Sequence, residues 1–420
     1  MQDKLQFETF LKKQSDETQA KQDIRKDAFN NFLKIGYPTK KHENWRFTNL
    51  TSIAKTEYRL PNGKMNKIDN NIVKEHSIDH SHRIIFVNGQ FNAELSTIDH
   101  TKHISVKNIS ASFNDLNRNS ANNSTNPFIL LNRAFVTGGY YIEISPNHVE
   151  EKPLHILNII SHENNDIQQH QQNLIKIGEN SQISIIEENI NLMKKGLFKN
   201  SIYNIQVAEN STLSHIFLHQ NHTKSKDLNH IFVEQQNDSS YKSYLINIGG
   251  DLIRNDINVQ IDGENCSTDI SGLSLLSGKD HIENYTIVSH NKPNSNSQQL
   301  FKYILDESSE GVFNGLVTVQ PDAQKTDSQQ TNKNILLSKK TLMNSNPQLE
   351  IYADDVKCSH GSATGELDEA AIFYLRSRGI DLMSAKSLLI EGFAKEVIDK
   401  IKNDSVREKL IHEILKRLTS

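Results

Sequence analysis

The chain has 420 residues, a formal net charge of −4 and a hydrophobic fraction of 35%. This balance provides no strong electrostatic attraction to nucleic acid or to an anionic membrane, so neither is expected as a partner. Its two cysteines are too few for a disulfide framework in a chain of this length, and they cannot hold a four-thiolate metal cluster alone.

The first predicted region, residues 1–70, is helical, because apolar residues recur in two stripes at helical spacing. Gly36 and Pro38 are expected to end the second stripe. The following segment contains the single tryptophan, Trp45, which we interpret as an anchor that holds a loop on the core. The start of the chain has no apolar signal core and no apolar run reaches the length of a membrane span, so a cytoplasmic location is expected. The two stripes are Leu5, Phe7, Phe10 and Leu11, and then Ile24, Ala28, Phe29, Phe32 and Leu33.

Residues 71–365 form the predicted β-strand region. Its first part is mixed, with strands near 84–87, 140–144 and 154–160 and a short helix near 126–136. From about residue 170 onward, period-2 apolar stretches alternate with short polar corners. Asparagines recur at these corners with spacings of 30, 27 and 28 residues, and they are Asn180, Asn210, Asn237 and Asn265.

A strand–corner unit that recurs at a near-constant period is typical of a solenoid. No helical pattern of crossover length separates the strands, so βαβ units are not expected. A large β-sandwich also fits the alternation, but the fixed period and the Asn corners favour a β-helix, because Asn tolerates a left-handed backbone bend. We therefore predict a mainly β fold with a right-handed parallel β-helix core and helical segments at both termini, which are expected to cap its open ends.

Residues 366–420 are predicted to be helical again. The first helix is expected over 368–377, and a second begins at Asp381 or Ser384. A capping box, Ser405 to Glu408, is expected to open the third. Their apolar stripes indicate packing against the rest of the chain, with a partner surface as the alternative.

Cys358 and His360 are the sharpest candidates for chemistry. At i and i+2 of a strand they share a face, and a thiolate and an imidazole about 7 Å apart can both face a metal. The parity of Val356 suggests that this face looks into the barrel or along a covered surface, not into bulk water. Two ligands are half of what a cluster needs, so a partner must supply the rest. The plainer alternative is a buried cysteine beside a hydrogen-bonded histidine.

Three other features are interpreted as structural or as solvent-exposed. Cys266 lies at a corner where two sister repeats carry Ser181 and Ser211, so one small residue replaces another. The histidines at 76, 80 and 82 have metal-like spacing but lie in a polar stretch, and a solvated loop is favoured. No Gly-Lys-Ser/Thr follows the glycine pair at 249–250, so the chain shows no nucleotide site of its own.

Four long segments resemble the SufB/SufD family of iron–sulfur cluster assembly proteins. They are residues 38–48 around the tryptophan, 324–338, 347–361 and 373–379. The similarity covers nearly the whole chain. One departure is Gly-Ser-Ala-Thr-Gly at 361–365, where the family usually has Gly-Ala-Thr-x-Gly; the length is kept. The form of the tryptophan segment favours the SufD branch, and a SufB-like paralogue in the same complex is the alternative.

The resemblance implies a scaffold subunit that is not an enzyme by itself. In this family SufD pairs with SufB through the β-helix ends, and each binds a copy of the ATPase SufC through its C-terminal helical region, here 366–420. ATP-driven SufC dimerisation then reshapes the interface where a transient iron–sulfur cluster, shared with SufB, is built. The histidine that matches His360 lies at that interface opposite a SufB cysteine, and the role of Cys358 is less defined. The isolated chain could form a homodimer.

Two other classes of function remain as alternatives. A carbohydrate-active β-helix protein would need a secretion signal and clustered acidic and basic side chains on one coil face. Asp354 and Asp355 are the only adjacent acidic pair near the candidate site. A structural adaptor would carry an inert Cys358 and His360.

Overall fold

A computed structural model describes residues 2–61, 67–98, 102–109, 125–161, 165–220 and 224–419 of the chain. The fold is mainly strands (44%), which wind into a parallel β-solenoid of about eight turns with helices at both ends of the chain. The predicted fold class is therefore confirmed. Within the described part of the chain, no helix is both long enough and apolar enough to cross a lipid bilayer.

The coils of the solenoid place alternate strands on two sheets. Each strand from β6 to β17 pairs in parallel with the strand two positions earlier and the strand two positions later in the chain, as β10 pairs with β8 and β12. The first sheet, in spatial order, runs β19-β17-β15-β13-β11-β9-β7-β5-β1-β2. The second runs β18-β16-β14-β12-β10-β8-β6-β4-β3.

The strands of the first sheet are β1 His82–Val87, β2 Gln90–Phe91, β5 Leu154–Ile160, β7 Gln182–Asn191, β9 Thr212–Gln220, β11 Ser240–Ile248, β13 Ser267–Leu276, β15 Asn296–Leu305, β17 Asp327–Leu336 and β19 Lys357–Gly365. Those of the second are β3 Ile104–Asn108, β4 Tyr140–Ile144, β6 Ile167–Ile177, β8 Leu197–Val207, β10 Ser225–Gln235, β12 Leu252–Ile261, β14 His281–His290, β16 Glu310–Val319 and β18 Leu342–Ile351.

One column of corners is built from residues in the left-handed backbone region. The predicted corner residues Asn180, Asn210 and Asn265 have φ of 54°, 53° and 55°. At the corner between Asn210 and Asn265 the prediction of Asn237 is wrong, because Asp238 takes the left-handed position at φ 57°. Short acidic and amide side chains both tolerate this bend, so the pattern alone could not choose between neighbours. The column continues through Asn147, Asn294 and Lys325.

Corner side chains bond to those of the next coil. Asn210 Nδ2 donates to Asn180 Oδ1 at 2.8 Å, and Asn180 Nδ2 donates to Asn147 Oδ1 at 3.0 Å. Just inside the corner, Ser211 Oγ donates to the carbonyl of Gly178 at 2.6 Å. Cys266 Sγ makes the equivalent contact with the carbonyl of Gln236 at 3.1 Å and is fully buried. This geometry agrees with the prediction that Cys266 replaces a corner serine.

The apolar interior of the solenoid forms along the inward faces of both sheets. Its residues include Ile185, Leu213, Leu245, Val259 and Phe301, all essentially without exposure. Successive side chains of a strand point to opposite faces, and parallel in-register pairing stacks like positions from coil to coil. The interior is therefore a set of continuous rows along the solenoid axis.

The N-terminal helices cover the outer face of the second sheet. Phe29 and Phe32 pack with Phe128 of a short helix, and this cluster reaches Phe198 and Leu228 on β8 and β10. These helices are α1 Gln2–Lys13, α2 Gln19–Ile35, the 3₁₀ turn Glu43–Trp45, α3 Thr51–Lys55 and α5 Pro127–Phe135. The short helix α4 Asn70–Glu75 packs on the first sheet instead, where Val73 lies in one cluster with Ile85 and Leu157.

Trp45 anchors its loop on this face, as predicted. It is buried against Phe128 in the same cluster. The guanidinium of the buried Arg254 lies 3.9 Å from its ring centroid and bonds to Glu283 at 2.8 Å. The loop is therefore held by packing and by a desolvated cation.

The C-terminal helices cover the outer face of the first sheet. They are α6 Glu369–Ser377, α7 Leu382–Ile398 and α8 Asp404–Thr419. Asp381 caps α7, as the sequence allowed. The predicted Ser405 cap of α8 is wrong, because the Asn403 side chain accepts from the amide of Val406. Ile398 and Leu410 lie in one apolar cluster with outward residues of five strands, including Ile216 on β9.

The expectation that the terminal helices cap the ends of the solenoid is wrong. Both groups lie against its sides, because the strands carry apolar residues on their outward faces as well. At the N-terminal end, β2 and β3 pair antiparallel with β1 and β4 and finish the two sheets. At the other end, β18 and β19 are the last described strands of the two sheets, and no other strand of the described chain pairs with their outer edges.

Candidate functional site

Cys358 and His360 lie on β19, in the terminal coil formed by β18 and β19. Among the described strands, β19 pairs with β17 alone, and this pairing matches Ser328 with Cys358 and Gln330 with His360. Ser328 and Gln330 are buried inward-facing residues. In-register parallel partners point to the same face, so the two candidates continue an interior row of the solenoid.

The terminal coil exposes what earlier coils enclose. Cys358 is half-buried and packs against the interior apolar cluster, whereas His360 is exposed. The prediction that this face is shielded from water is therefore wrong for His360. Strand parity places its side chain on the interior row, and no further coil of the described chain covers that row.

The environment of Cys358 keeps its thiol protonated. Burial raises the pKa of Cys358 above its ordinary value. A hydrogen bond from the Ser328 backbone offsets part of this rise, and the Asp327 carboxylate adds a smaller increase. The thiolate is the metal ligand, so metal binding at Cys358 must displace this proton. The thiol is unsuited to act as a nucleophile in the isolated chain.

Polar side chains that the sequence reasoning missed continue the interior row beyond His360. Ser362 Oγ lies 2.8 Å from Ser345 Oγ on β18, across the open end. Asn334 Nδ2 donates to Thr364 Oγ1 at 2.9 Å. The period-2 pattern of 358, 360, 362 and 364 was the signal that could have identified this polar row.

The donors at the terminal coil are too few for a complete metal site. Within the part of the chain that the structure describes, no group of three or more His, Cys, Asp or Glu side chains could hold a metal ion. The histidines at 76, 80 and 82 do not converge either. His76 Nδ1 lies 2.6 Å from the buried Glu188 and His82 Nε2 lies 3.4 Å from Glu150, whereas His80 is exposed in a turn. The expected solvated loop is thus wrong for His76 and His82.

An apolar patch on α6 and α7 faces solvent. The inner side of α7 is buried on the sheet through Ile390 and Ala394. On α6, Phe373 keeps 76% of its surface exposed. The two interpretations of the C-terminal apolar stripes, internal packing and a partner surface, thus both have a structural basis. One side of these helices packs on the sheet, and another side is exposed to solvent. The exposed patch consists of Phe373, Tyr374, Leu382, Met383 and Leu388.

Two family models match this chain along most of its length. Residues 159–393 match the SufBD core domain of the SUF system for FeS cluster assembly. Residues 5–156 match the SufBD protein N-terminal region.

Two of the following three curated relatives carry a SufD or SufBD description. Iron-sulfur cluster assembly protein SufD of Escherichia coli is 31% identical over 390 residues, which are 92% of this chain and 90% of that protein. A SufBD family iron-sulfur cluster assembly protein of Synechocystis is 31% identical over 89% of this chain and 86% of its own length. The chloroplastic protein ABCI7 of Arabidopsis thaliana is 33% identical over 56% of this chain and 50% of its own length.

Proposed function

The chain belongs to the SufBD family of iron–sulfur cluster assembly proteins, and from this premise we propose that it is the SufD-type scaffold subunit of a SufB–SufC–SufD complex. It has no catalytic activity of its own in this proposal and works in the cytoplasm. The observation that carries the proposal is the interior row that ends, with a thiol and an imidazole, at an uncovered coil.

Pairing with SufB takes place at this coil. Open edges of parallel strands expose unpaired backbone groups and normally need a cover. The terminal coil also exposes the apolar side chains of Leu342, Ile351 and Tyr352. A second solenoid end of similar shape would extend both sheets and bury these residues. In the absence of SufB, a second copy of this chain can use the same edges.

The nascent cluster is the cargo of this interface. His360 provides one ligand from this chain and Cys358 is the second candidate, while SufB provides the remaining donors. Because neither chain holds a complete ligand set, cluster formation depends on their association. The half-site on β19 supports this division of ligands.

SufC binds the exposed apolar patch of α6 and α7, in the helical region 366–420. The opposite side of α7 is fixed on the first sheet, so a movement imposed on the patch reaches the solenoid through a packed contact. ATP hydrolysis takes place on SufC and alters the SufB interface through this contact.

Replacement of His360 by alanine tests the cluster site. Complexes with SufB and SufC carrying His360→Ala are expected to assemble normally and to lose most cluster formation, because one ligand is missing. Ser359→Ala, the neighbour on the opposite face of β19, is the matched control and should retain full cluster yield. Normal yield with His360→Ala would remove this residue from the mechanism and favour an inert structural adaptor.

Substitutions in the exposed patch test the docking site better than deletion of 366–420, because deletion would uncover the buried side chains beneath α7 and α8. The pair Phe373→Ala and Met383→Ala is expected to weaken SufC binding without unfolding the chain. Leu5→Ala, at an exposed apolar residue of α1, is the control. Unchanged SufC affinity in the double variant would place the docking surface elsewhere.

A further inference from the structure

Matched polar side chains on neighbouring coils bond to one another inside this solenoid. Asn229, Asn255 and Asn284 occupy in-register positions on β10, β12 and β14, and each amide donates to the next at 2.9 Å. Ser297 and Ser328 are matched on β15 and β17 and lie 2.8 Å apart. Adjacent strands are about 4.8 Å apart, so matched short side chains come within hydrogen-bond reach.

Gln330 departs from this behaviour directly beneath the candidate site. It is matched to Gln299 on one side and to His360 on the other. Its side chain is 1% exposed, and among the described residues neither Nε2 nor Oε1 has a hydrogen-bond partner. A buried amide without partners is unfavourable for the folded state. A methyl group at Gly315 would lie 2.0 Å from Nε2, so the glycine leaves room for the amide.

The neighbouring row shows that this lack of partners is not general to the terminal coil. Ser328, which is matched to Cys358, already bonds to Ser297. Of the two inward residues beneath the site, only Gln330 has side-chain hydrogen-bonding atoms without a partner in the described structure. The exposed imidazole of His360 is the matched side chain next to it, and no coil in the described part of the chain covers it.

Resting on the proposed function, we propose that Gln330 is a positioning residue for His360. When a second polypeptide covers the terminal coil, the imidazole turns inward and its ring N–H donates to Gln330 Oε1. The other ring nitrogen then presents its lone pair to incoming iron. A fixed partner for one ring nitrogen selects the tautomer and orientation of a metal-binding histidine.

Gln330→Met tests this role because methionine keeps the length of the side chain and removes both hydrogen-bonding groups. Complexes are reconstituted with ferrous iron and sulfide, and cluster formation is followed by visible absorption. We expect about a ten-fold loss of iron affinity, seen as a higher iron concentration at half-maximal cluster formation. The melting temperature should be unchanged or higher, because a buried amide without partners has been removed. Gln330→Glu, which keeps an acceptor, should restore most of the affinity.

Gln299→Met is the matched control. Gln299 lies one coil deeper in the same row, and its Nε2 also lacks a described partner, although its Oε1 accepts from Thr286 at 2.7 Å. It does not contact His360 in this proposal, so iron affinity should be unaffected. A loss equal to that of Gln330→Met would mean that general disturbance of the row causes the defect, and would overturn the proposal.

The double variant separates this inference from the proposed function. His360→Ala with Gln330→Met should lose no more affinity than His360→Ala alone, because Gln330 acts through the imidazole. Normal affinity in Gln330→Met beside a clear loss in His360→Ala overturns the role of Gln330 and leaves the proposed function standing. Normal affinity in His360→Ala itself contradicts the proposed function, and the role of Gln330 fails with it.

Discussion

Strands β13 and β19 belong to the same sheet and follow the same winding, yet their surroundings are opposite. Seven of the last eight positions of β13 are buried, since it has a strand on both sides and α7 across its outer face. On β19 only Cys358 is shielded in part. The middle coils are therefore buried as in a protein core, whereas the terminal coil is exposed as one side of a protein–protein interface is before its partner binds.

Charge removal should be far more costly in the middle of the solenoid than at its end. Arg254→Met removes a buried cation from Glu283 and Asp256, and should lower the free energy of unfolding by about 4 kcal/mol, because buried carboxylates lose their partner. Lys325→Met at the terminal corner breaks the exposed ion pair with Asp355 and should cost less than about 1 kcal/mol. Urea denaturation of both variants checks this, and equal losses would contradict the contrast.

Truncation of a leucine should show the same contrast with a smaller effect. Leu245→Ala on β11 leaves a cavity in an enclosed coil and should cost about 3 kcal/mol. Leu342→Ala on β18 removes a side chain that is 55% exposed and should cost under about 1 kcal/mol in the isolated chain. The order should reverse for SufB affinity, measured by calorimetry, because only Leu342 lies on the proposed interface. A weakened complex with Leu245→Ala alone would place the interface elsewhere.

Enclosed histidines should make the middle coils sensitive to acid. Burial lowers the pKa of His290 from 6.5 to about 4. The folded state therefore keeps His290 neutral at a pH where the unfolded chain binds a proton. The contribution of the neutral imidazole to the free energy of unfolding is complete above pH 6.5 and is lost as pH falls toward 4. The slope is about 1.4 kcal/mol per pH unit for one proton.

His290→Gln should remove that part of the pH dependence, as measured by urea denaturation across this pH range. Ser297→Ala deletes the hydroxyl 2.8 Å from His290 Nε2 and keeps the imidazole, so it should retain the slope. An unchanged slope in His290→Gln would show that this imidazole is not held neutral by the coil.

The repeat and its corners could be predicted from sequence because local chemistry determines them. Asn180, Asn210 and Asn265 tolerate the left-handed bend, and alternating apolar residues define the inward face. The position of the helices required a further signal. The run at 183–186 places apolar residues on both faces of β7, which indicates a second cover outside the sheet. Open solenoid ends favour helical caps, but these outward apolar residues hold the helices on the sides of the solenoid.

The candidate site could be predicted only in part. The spacing of Cys358 and His360 gives their shared face, and the register of β19 agrees with it. The exposure of His360 depends on whether another coil covers β19, and the local sequence pattern does not indicate this. The unused amide of Gln330 was also beyond the sequence, because it follows from side-chain geometry between coils that are 30 residues apart.

Hydrogen exchange of the terminal coil shows whether SufB completes it. Backbone amides of β18 and β19 are measured in the isolated chain and in its complex with SufB and SufC, with β9 and β11 as internal references. Completion of the coil by SufB predicts a strong gain of protection at β18 and β19 and little change at β9 and β11. Equal exchange at β18 and β19 in the two states would contradict the account.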